Sequence, residues 1–420
     1  MKRFNFIIIA LIDVLLFVLF SILSFFIRFY IFSFGRSLEL RNLEAFINTL
    51  PFLILMFLIL FYLYGLYTYK ETWYDYFSSI LSAILLLFLL KLSLSFFMRA
   101  FAYPRSVIFI SFILETIGFL AWRYYLFVSN KRAEKRETAV IIGKEEIYER
   151  YGKYEFIKAK NLDEIQKIKE KIDVIFITED GFDKKKTMEF ALKNKIKLFI
   201  SPDISDLIIF SSKFLSLSDK VFIEFSKFSL SHEEKILKRM IDIILSIIFL
   251  ILLSPLFVVI PMLIKLTSKG RVFYIQRRVG EEGKIFDLIK FRTMIEGAEK
   301  KTGPILSRDN DPRVTKIGRF LRKTHLDEIP QLINVLKGDM SLVGPRPERP
   351  EIFEKILEKT PHFSYRLRLK PGITGLAQIM GKYDIKPEEK IKYDLIYIST
   401  WSPFLDFYIL LMTIKKILTG

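Results

Sequence analysis

The 420-residue chain contains no cysteine. That absence excludes disulfides, thiolate zinc sites and cysteine nucleophiles within it. Histidine is nearly as scarce, at His232, His325 and His362 alone, which argues against a histidine-rich metal site. Polar catalysis would then rest on carboxylates, Arg, Lys, hydroxyls and a hard metal such as Mg²⁺. Glycine is missing where a dinucleotide fold would need it. Lys144, Glu145 and Glu146 follow Gly143, and the next glycine is Gly152. The tight turn and close pyrophosphate approach of that fold are therefore not expected. No recognition-helix or RNA-binding signature is present, so nucleic acid is not an expected partner.

Apolarity and basic charge are abundant together. Hydrophobic residues make up 51% of the chain, and 64 Lys and Arg face 46 Asp and Glu, a formal charge of +18. The combination points to a membrane protein whose soluble parts face anionic lipid or anionic substrates. The apolar residues gather in four blocks, at about 6–32, 50–69, 77–98 and 107–128. Each is near the ~20 residues that cross a hydrocarbon core. Asp13 and Arg28 interrupt the first, Lys91 the third, and Glu115 and Arg123 the fourth; the second carries no charge. Four crossings return the chain to its starting side. Lys2, Arg3 and the basic run 130–136 place that side in the cytoplasm, with Arg28, Arg36 and Arg41 in the first loop weighing against it. The first block is too long for a removable signal peptide and has no small-residue cleavage site.

From Thr138 to about Leu230 the composition becomes that of a soluble α/β domain. Stretches 138–143, 173–178 and 197–200 read as buried strands separated by charged, helix-favouring segments. That alternation implies a small parallel sheet of Rossmann-like type. Next, Met240 to Ile264 is almost wholly apolar, with Lys238 and Arg239 before it and Lys265 and Lys269 after. Ser254-Pro255 and Pro261 break it, and a mid-helix proline removes a backbone hydrogen bond. A hairpin that dips into the membrane and returns, or a kinked spanning helix, fits these residues equally well.

The densest signals for chemistry follow Lys238. Pro330 suits the first turn of a helix and Gly338 its end, which places Asp327 and Glu328 at a helix N-terminus that favours phosphate. Arg319, Arg322 and Lys323 lie just upstream. Asp327 alone could be no more than an N-cap beside a solvated basic face. Further turns gather around it in sequence: Gly344-Pro345-Arg346-Pro347 holds one Arg, Lys290-Phe291-Arg292 supplies a basic pair, and Pro371-Gly372-Ile373-Thr374-Gly375 leads to Gln378. Several fixed turns presenting Arg, Lys and amides suit a polyphosphate site. Ordinary structural turns explain each one singly and all of them together poorly.

Across about Lys235 to Gly420 these motifs resemble the bacterial polyprenyl-phosphate sugar-1-phosphate transferases, the monotopic-type phosphoglycosyl transferases that begin capsule and exopolysaccharide synthesis. The resemblance rests on Lys238-Arg239 with Asp242, Ser254-Pro255, Lys290-Phe291-Arg292, Leu326-Asp327-Glu328 with Pro330-Gln331, Gly344-Pro345-Arg346-Pro347, and Pro371-Gly372 with Thr374-Gly375. It implies that Asp327 is the nucleophile on the β-phosphorus of a UDP-sugar. The product of that step would be an acyl-phosphate sugar intermediate and UMP, and polyprenyl (undecaprenyl) phosphate would then attack the intermediate. It further implies that Glu328 holds Mg²⁺, that Arg322 contacts phosphate and that Arg346 lies near the nucleotide. Lys290, Arg292, Arg319 and Gln331 are the remaining candidates for phosphate or substrate binding. The family's Ser-Pro break makes the helix re-entrant.

The expected architecture is thus an α-helical membrane region plus α/β. Four transmembrane helices (1–130) precede a cytoplasmic Rossmann-like α/β domain (138–230) and a membrane-associated α+β catalytic domain (235–420) whose helix 240–264 is a re-entrant hairpin. The C-terminal stretch, Asp394 to Leu418, reads as an interfacial helix pair split at Pro403, or as a fifth span. The expected place is the bacterial cytoplasmic (inner) membrane, with the catalytic domain on the cytoplasmic face in contact with membrane lipids. A homodimer is compatible with these features, though no residue bears on it. Two other functions stay open. A membrane nucleotide-sugar dehydratase would need the glycine turn and a Tyr-x-x-x-Lys pair, for which Tyr154 and Lys158 are the only match. A membrane scaffold or flippase component would not need the Asp-Glu pair. The sugar is not legible; by analogy the long members of the family suggest UDP-glucose or UDP-galactose.

Overall fold

A computed structural model describes residues 3–31, 40–68, 72–97, 105–133, 137–142, 154–159, 162–167, 171–178, 183–210, 213–217, 220–224, 229–298, 311–381 and 385–419. The turn after Gly143 that bears on dinucleotide binding lies outside these residues, as do Lys2, Arg36, Lys135 and Arg136. The chain forms two compact units, Met1–Ser201 and Pro202–Gly420.

In the first unit the apolar blocks are helices α1 (Arg3–Phe26, continued by a π-helical turn Ile27–Ile31), α2 (Leu40–Leu63), α3 (Trp73–Phe97) and α4 (Arg105–Ala133). Among the described residues, four stretches of 25, 20, 23 and 25 residues are long and apolar enough to cross a membrane. At 1.5 Å per residue, about 20 residues span the ~30 Å hydrocarbon core. Asp13, Lys91, Glu115 and Arg123, four of the charges that interrupt the blocks, are paired inside the bundle, and Arg28 donates to the Ser106 hydroxyl at 2.7 Å. Arg123 of α4 meets Asp13 of α1, and Trp122 donates to the same carboxylate at 3.0 Å. Lys91 of α3 meets Glu115 of α4 at 2.5 Å and donates to Ser111 at 3.1 Å. An ionised group left alone in this environment would be costly, so each apolar block tolerates its charge because a neighbouring helix supplies the partner.

The same unit holds β1 (Glu137–Ile142), β2 (Tyr154–Lys158), α5 (Leu162–Lys167), β3 (Val174–Ile177), α6 (Lys184–Lys193) and β4 (Lys197–Ile200). The strands form one parallel sheet in the order β2-β1-β3-β4. The three strands expected from the sequence are all present, and β1 and β3 are apolar runs buried on both faces, as parallel sheets require. The edge strand β2 was not foreseen, because its Lys and Glu residues hide the alternation. Tyr154 and Lys158 are the ends of that strand.

The second unit begins before the expected boundary near residue 230. Leu207 of α7 (Ile204–Phe210) is buried in the C-terminal core, and the hairpin β5 (Lys213–Leu217) and β6 (Lys220–Glu224) follows. Then come α8 (His232–Leu253) and α9 (Leu256–Thr267), bent by 58° at Ser254-Pro255. Ser231 opens α8 with a capping box to Glu234. At the bend Pro255 has no N–H to give, and the Ser254 hydroxyl donates to Ile251 O at 2.8 Å. The bend is the arrangement a re-entrant hairpin needs. Ile244, Ile247, Ile251, Val258, Met262 and Leu266 are exposed on it, an apolar surface of the kind that lipid covers. The opposite stripe, Lys238, Asp242 and Ser246 at four-residue spacing, is buried.

The rest of the unit comprises β7 (Phe273–Val279) and β8 (Ile285–Phe291) as an antiparallel hairpin, α10 (Lys316–Lys323), α11 (Gln331–Lys337), β9 (Ser341–Val343), α12 (Pro350–Lys359), β10 (Gly372–Thr374), α13 (Leu376–Met380), α14 (Pro387–Ser399) and α15 (Pro403–Thr419). The split at Pro403 is where expected. The charged pattern of α8 now has a structural reason. Lys238 pairs with Asp406 of α15 at 2.7 Å. Arg239 donates to the last carbonyls of α11, Val335 O at 2.5 Å and Leu336 O at 2.9 Å, where a cation suits the helix C-terminus. Asp242 accepts from Leu342 N–H and the Ser341 hydroxyl of β9, both at 3.0 Å. Three charged side chains thus bind the bent helix to three other elements.

Candidate active site

Asp327 and Glu328 lie in a short 3-10 turn, Leu326–Glu328, entered through His325 in the left-handed region at φ 55°. The sequence placed the pair at a helix N-terminus. The structure instead sets it in its own turn between α10 and α11, and α11 begins only at Gln331 with Pro330 before it. Pro330 cannot donate to the turn, so α11 cannot extend back over the pair. Gly338 ends α11 at φ 95°, as expected of a left-handed C-terminal residue.

Three places in the fold bring charge to this turn. Lys290, near the end of β8, meets Glu328 Oε1 at 2.5 Å. Arg346, after β9, meets the same oxygen at 3.0 Å. Among the described residues both cation contacts fall on Oε1. Arg322, in the last turn of α10, donates to the Thr293 hydroxyl at 2.9 Å and acts electrostatically on Asp327. Gly318 lets α10 come this close: a Cβ there would stand 2.0 Å from Thr293 O. Asn334 of α11 locks β8 alongside, accepting from Ile289 N–H at 3.0 Å and donating to Asp287 O at 2.7 Å. The two glycine-rich turns singled out in sequence are in backbone contact. A Cβ on Gly372 would meet Gly344 N at 2.0 Å.

The two adjacent carboxyls are driven apart in acidity. Burial, and then the charge on Glu328, pushes Asp327 from 3.8 up to about 6, against the pull of Lys290 and Arg322. Burial would raise Glu328 as well, but Arg346 and Lys290 reverse this and hold it well below the usual carboxylate range. Burial lowers Lys290, with Glu328 opposing. The result is a Glu held ionised by its two cations beside an Asp raised to about 6.

Of the residues singled out in sequence, Glu328, Lys290 and Arg346 meet directly, and Asp327, next to Glu328 in the chain, feels the charges of Lys290 and Arg322. Gln331 is buried at the start of α11. Arg319 is exposed on α10. Arg292 is placed elsewhere: its guanidinium donates to Ser268 O at 3.0 Å, the Ser268 hydroxyl at 2.7 Å and Lys269 O at 2.7 Å, tying β8 to the end of α9. Thr293 and Asn334, which hold Arg322 and Lys290 in place, were not foreseen. Asn334 lies three residues past the Leu326–Gln331 motif, and nothing in one sequence separates a buried amide that bridges two elements from a surface one. Among the described residues no three His, Cys, Asp or Glu gather as a metal site. A Mg²⁺ bound by a carboxylate together with substrate phosphates needs no such cluster, and the ionised Glu328 carboxylate is a ligand of the type it takes.

A model of the bacterial sugar transferases matches residues 233–420, a stretch that contains every side chain of this site. The exopolysaccharide production protein ExoY of Sinorhizobium fredii is 38% identical over 197 residues, which are 43% of this chain and 84% of that protein. The chain belongs to the bacterial sugar transferase family. Within that family it is 42% identical over 187 residues to a UDP-N-acetylgalactosamine-undecaprenyl-phosphate N-acetylgalactosaminephosphotransferase of Aeromonas hydrophila, covering 44% of each chain. It is 40% identical over 242 residues to the UDP-glucose:undecaprenyl-phosphate glucose-1-phosphate transferase of Klebsiella pneumoniae, covering 54% of this chain and 52% of that one. The match thus spans about half the length of these two sugar transferases.

Proposed function

We propose that the protein transfers a hexose-1-phosphate from a UDP-sugar to undecaprenyl phosphate at the cytoplasmic face of the bacterial inner membrane, releasing UMP, as the first membrane step of a surface polysaccharide. The observation that carries this reading is the split Asp327–Glu328 pair, ringed by Lys290, Arg322 and Arg346 inside the family-matched region. The named relatives act on UDP-glucose and UDP-N-acetylgalactosamine with undecaprenyl phosphate, which supports the substrate class and leaves the sugar to be measured.

Asp327 is the nucleophile. With its pKa raised to about 6, it is more basic than an ordinary carboxylate and still ionises at neutral pH. An Asp327 oxygen forms a bond to the β-phosphorus, and the bridging P–O bond breaks, its electron pair leaving with UMP. An oxygen of undecaprenyl phosphate then attacks the same phosphorus, and the acyl-phosphate bond breaks to return the Asp327 carboxylate. Lys290, Arg322 and Arg346 lower the repulsion between carboxylate and diphosphate and stabilise charge on the leaving nucleotide. Mg²⁺, held by Glu328 with the diphosphate, would supply further charge neutralisation there. The exposed apolar face of α8 and α9 sets the unit at the lipid surface, where a lipid phosphate and a soluble nucleotide can meet. The dehydratase alternative has little support, since Tyr154 and Lys158 lie in an edge strand.

The test is to incubate the purified protein with Mg²⁺, undecaprenyl phosphate and a panel of UDP-sugars: glucose, galactose and N-acetylgalactosamine. UMP and a lipid diphosphosugar should appear together with one of them. UDP as the nucleotide product, or no product with any sugar, would overturn the reading.

A further inference from the structure

The Pro345-Arg346-Pro347 turn has little means of holding itself. Proline has no backbone N–H, so two of its three residues cannot donate. Yet four consecutive carbonyls are each taken by a donor from elsewhere in the unit. Gly372 N–H donates to Pro345 O at 3.0 Å, and Val279 N–H donates to Glu348 O at 3.0 Å. Between these two amides the donors are guanidiniums. Arg366 Nη2 donates to Arg346 O at 2.9 Å, and Arg278 Nη1 donates to Pro347 O at 2.9 Å.

Both arginines are themselves held from behind. The Arg366 side chain is 2% exposed, with Nε 2.9 Å from Asp394 Oδ2 on α14 and Nη1 3.7 Å from Glu348 Oε1. Glu348 also meets Lys390 of α14 at 2.9 Å. Burial would raise Glu348, but Lys390 and Arg366 outweigh it and keep the carboxyl below its ordinary value. Arg278 donates from Nε and Nη2 to Gln276 Oε1 at 3.1 and 2.6 Å. Burying a guanidinium is expensive unless its donors are satisfied, and main-chain amides satisfy most buried carbonyls. A buried arginine and a half-buried one directed at neighbouring carbonyls of one turn are more than a fold needs to close a loop. On the other side of the turn, Arg346 Nη2 meets Glu328 at 3.0 Å.

We propose that Arg366 and Arg278 are positioning residues that act on the reaction through Arg346. They fix the main chain of the Pro-Arg-Pro turn so that its guanidinium is already aimed at Glu328 and the donor diphosphate. The inference rests on the proposed function for its kinetic part and on geometry alone for the pinning.

The test uses the full-length protein in detergent, with Arg366→Lys, Arg278→Lys, Arg346→Ala and both double variants. Lysine keeps the charge but loses the planar fork that serves carbonyl and carboxylate together. Hydrogen exchange is read on the peptide covering residues 344–349. It should quicken about tenfold or more in either Lys variant, while peptides of α11 and α14 exchange as in the wild type. In UMP release, each Lys variant should lose about 10- to 100-fold in kcat with KM for the UDP-sugar changed far less. In the Arg346→Ala background the same substitution should add less than about twofold, because the residue it acts through is gone. A purely structural role would lower both backgrounds alike. Equal losses in the two backgrounds, or unchanged exchange at the turn, would overturn the proposal. Arg278→Lys stands in if Arg366→Lys does not fold. A wild type that releases no UMP would sink the functional reading instead, and exchange at the turn would still decide the pinning.

Discussion

Replacing Asp327 by Asn should abolish turnover and at the same time make the protein more stable at neutral pH. The fold raises the Asp327 pKa from 3.8 to about 6, chiefly by burial and then by the charge on Glu328. At ~1.4 kcal/mol per pKa unit, holding this carboxylate ionised in the folded state costs ~3 kcal/mol. Asparagine has nearly the same shape and no charge to hold. Between about pH 4 and pH 6 the folded protein keeps a proton that the unfolded chain has released, so wild-type stability falls as pH rises through that window. The variant should therefore match the wild type at pH 4 and exceed it above pH 6. For a unit of this size the gain corresponds to roughly 10 °C at most. Thermal melts of both proteins in detergent from pH 4 to pH 8, with UMP release measured alongside, give both numbers. An Asn variant that melts lower than the wild type at pH 8, by a gap that does not depend on pH, would show that Asp327 is a structural cap and not a strained nucleophile. Near-normal turnover in a folded Asn variant would refute the chemistry outright.

Three further outcomes follow from the same geometry. Glu328→Gln removes the partner of Lys290 and Arg346, so turnover should fall sharply and demand more Mg²⁺, and excess chelator should silence the wild type; equal wild-type rates with and without chelator would exclude the metal role. Because native cysteine is absent, single Cys at the exposed Lys235 and Lys269 can report topology, and an impermeant thiol reagent should reach both from the cytoplasmic side; labelling from opposite sides would mean that α8 and α9 span the membrane. A fragment starting at Pro202 should be an active unit, whereas one starting at Ser231 should melt lower, since it loses Leu207 from the core; identical melts of the two would show that α7 contributes nothing.

Hydropathy period and composition made much of the architecture legible. Four apolar runs are long enough to cross a membrane as helices, and Ser254-Pro255 interrupts a helix, because these outcomes follow from local chemistry and length. Strand β2 escaped notice because its residues Lys158 and Glu155 read as surface, and an edge strand takes its identity from the neighbour it pairs with. The boundary near residue 230 came from a change in composition. The packing boundary lies at Pro202, because Leu207 finds its apolar partners in the C-terminal core.

For the site, the sequence by itself determined which groups are present: the adjacent Asp327 and Glu328, the cations of three separate motifs, and the want of any Cys or of a His cluster to serve in their place. It could not determine what those groups do to one another. Lys290 and Arg292 are two residues apart in the chain, one near the end of β8 and one just past it, yet Lys290 meets Glu328 while Arg292 ties this end of β8 to the end of α9. Asp327 and Glu328 are neighbours in the chain, yet one is pushed up and the other pulled down. Tertiary structure decided both, for one reason. Burial and the distance to an opposite charge set the free energy of an ionised group, and neither is a property of sequence order.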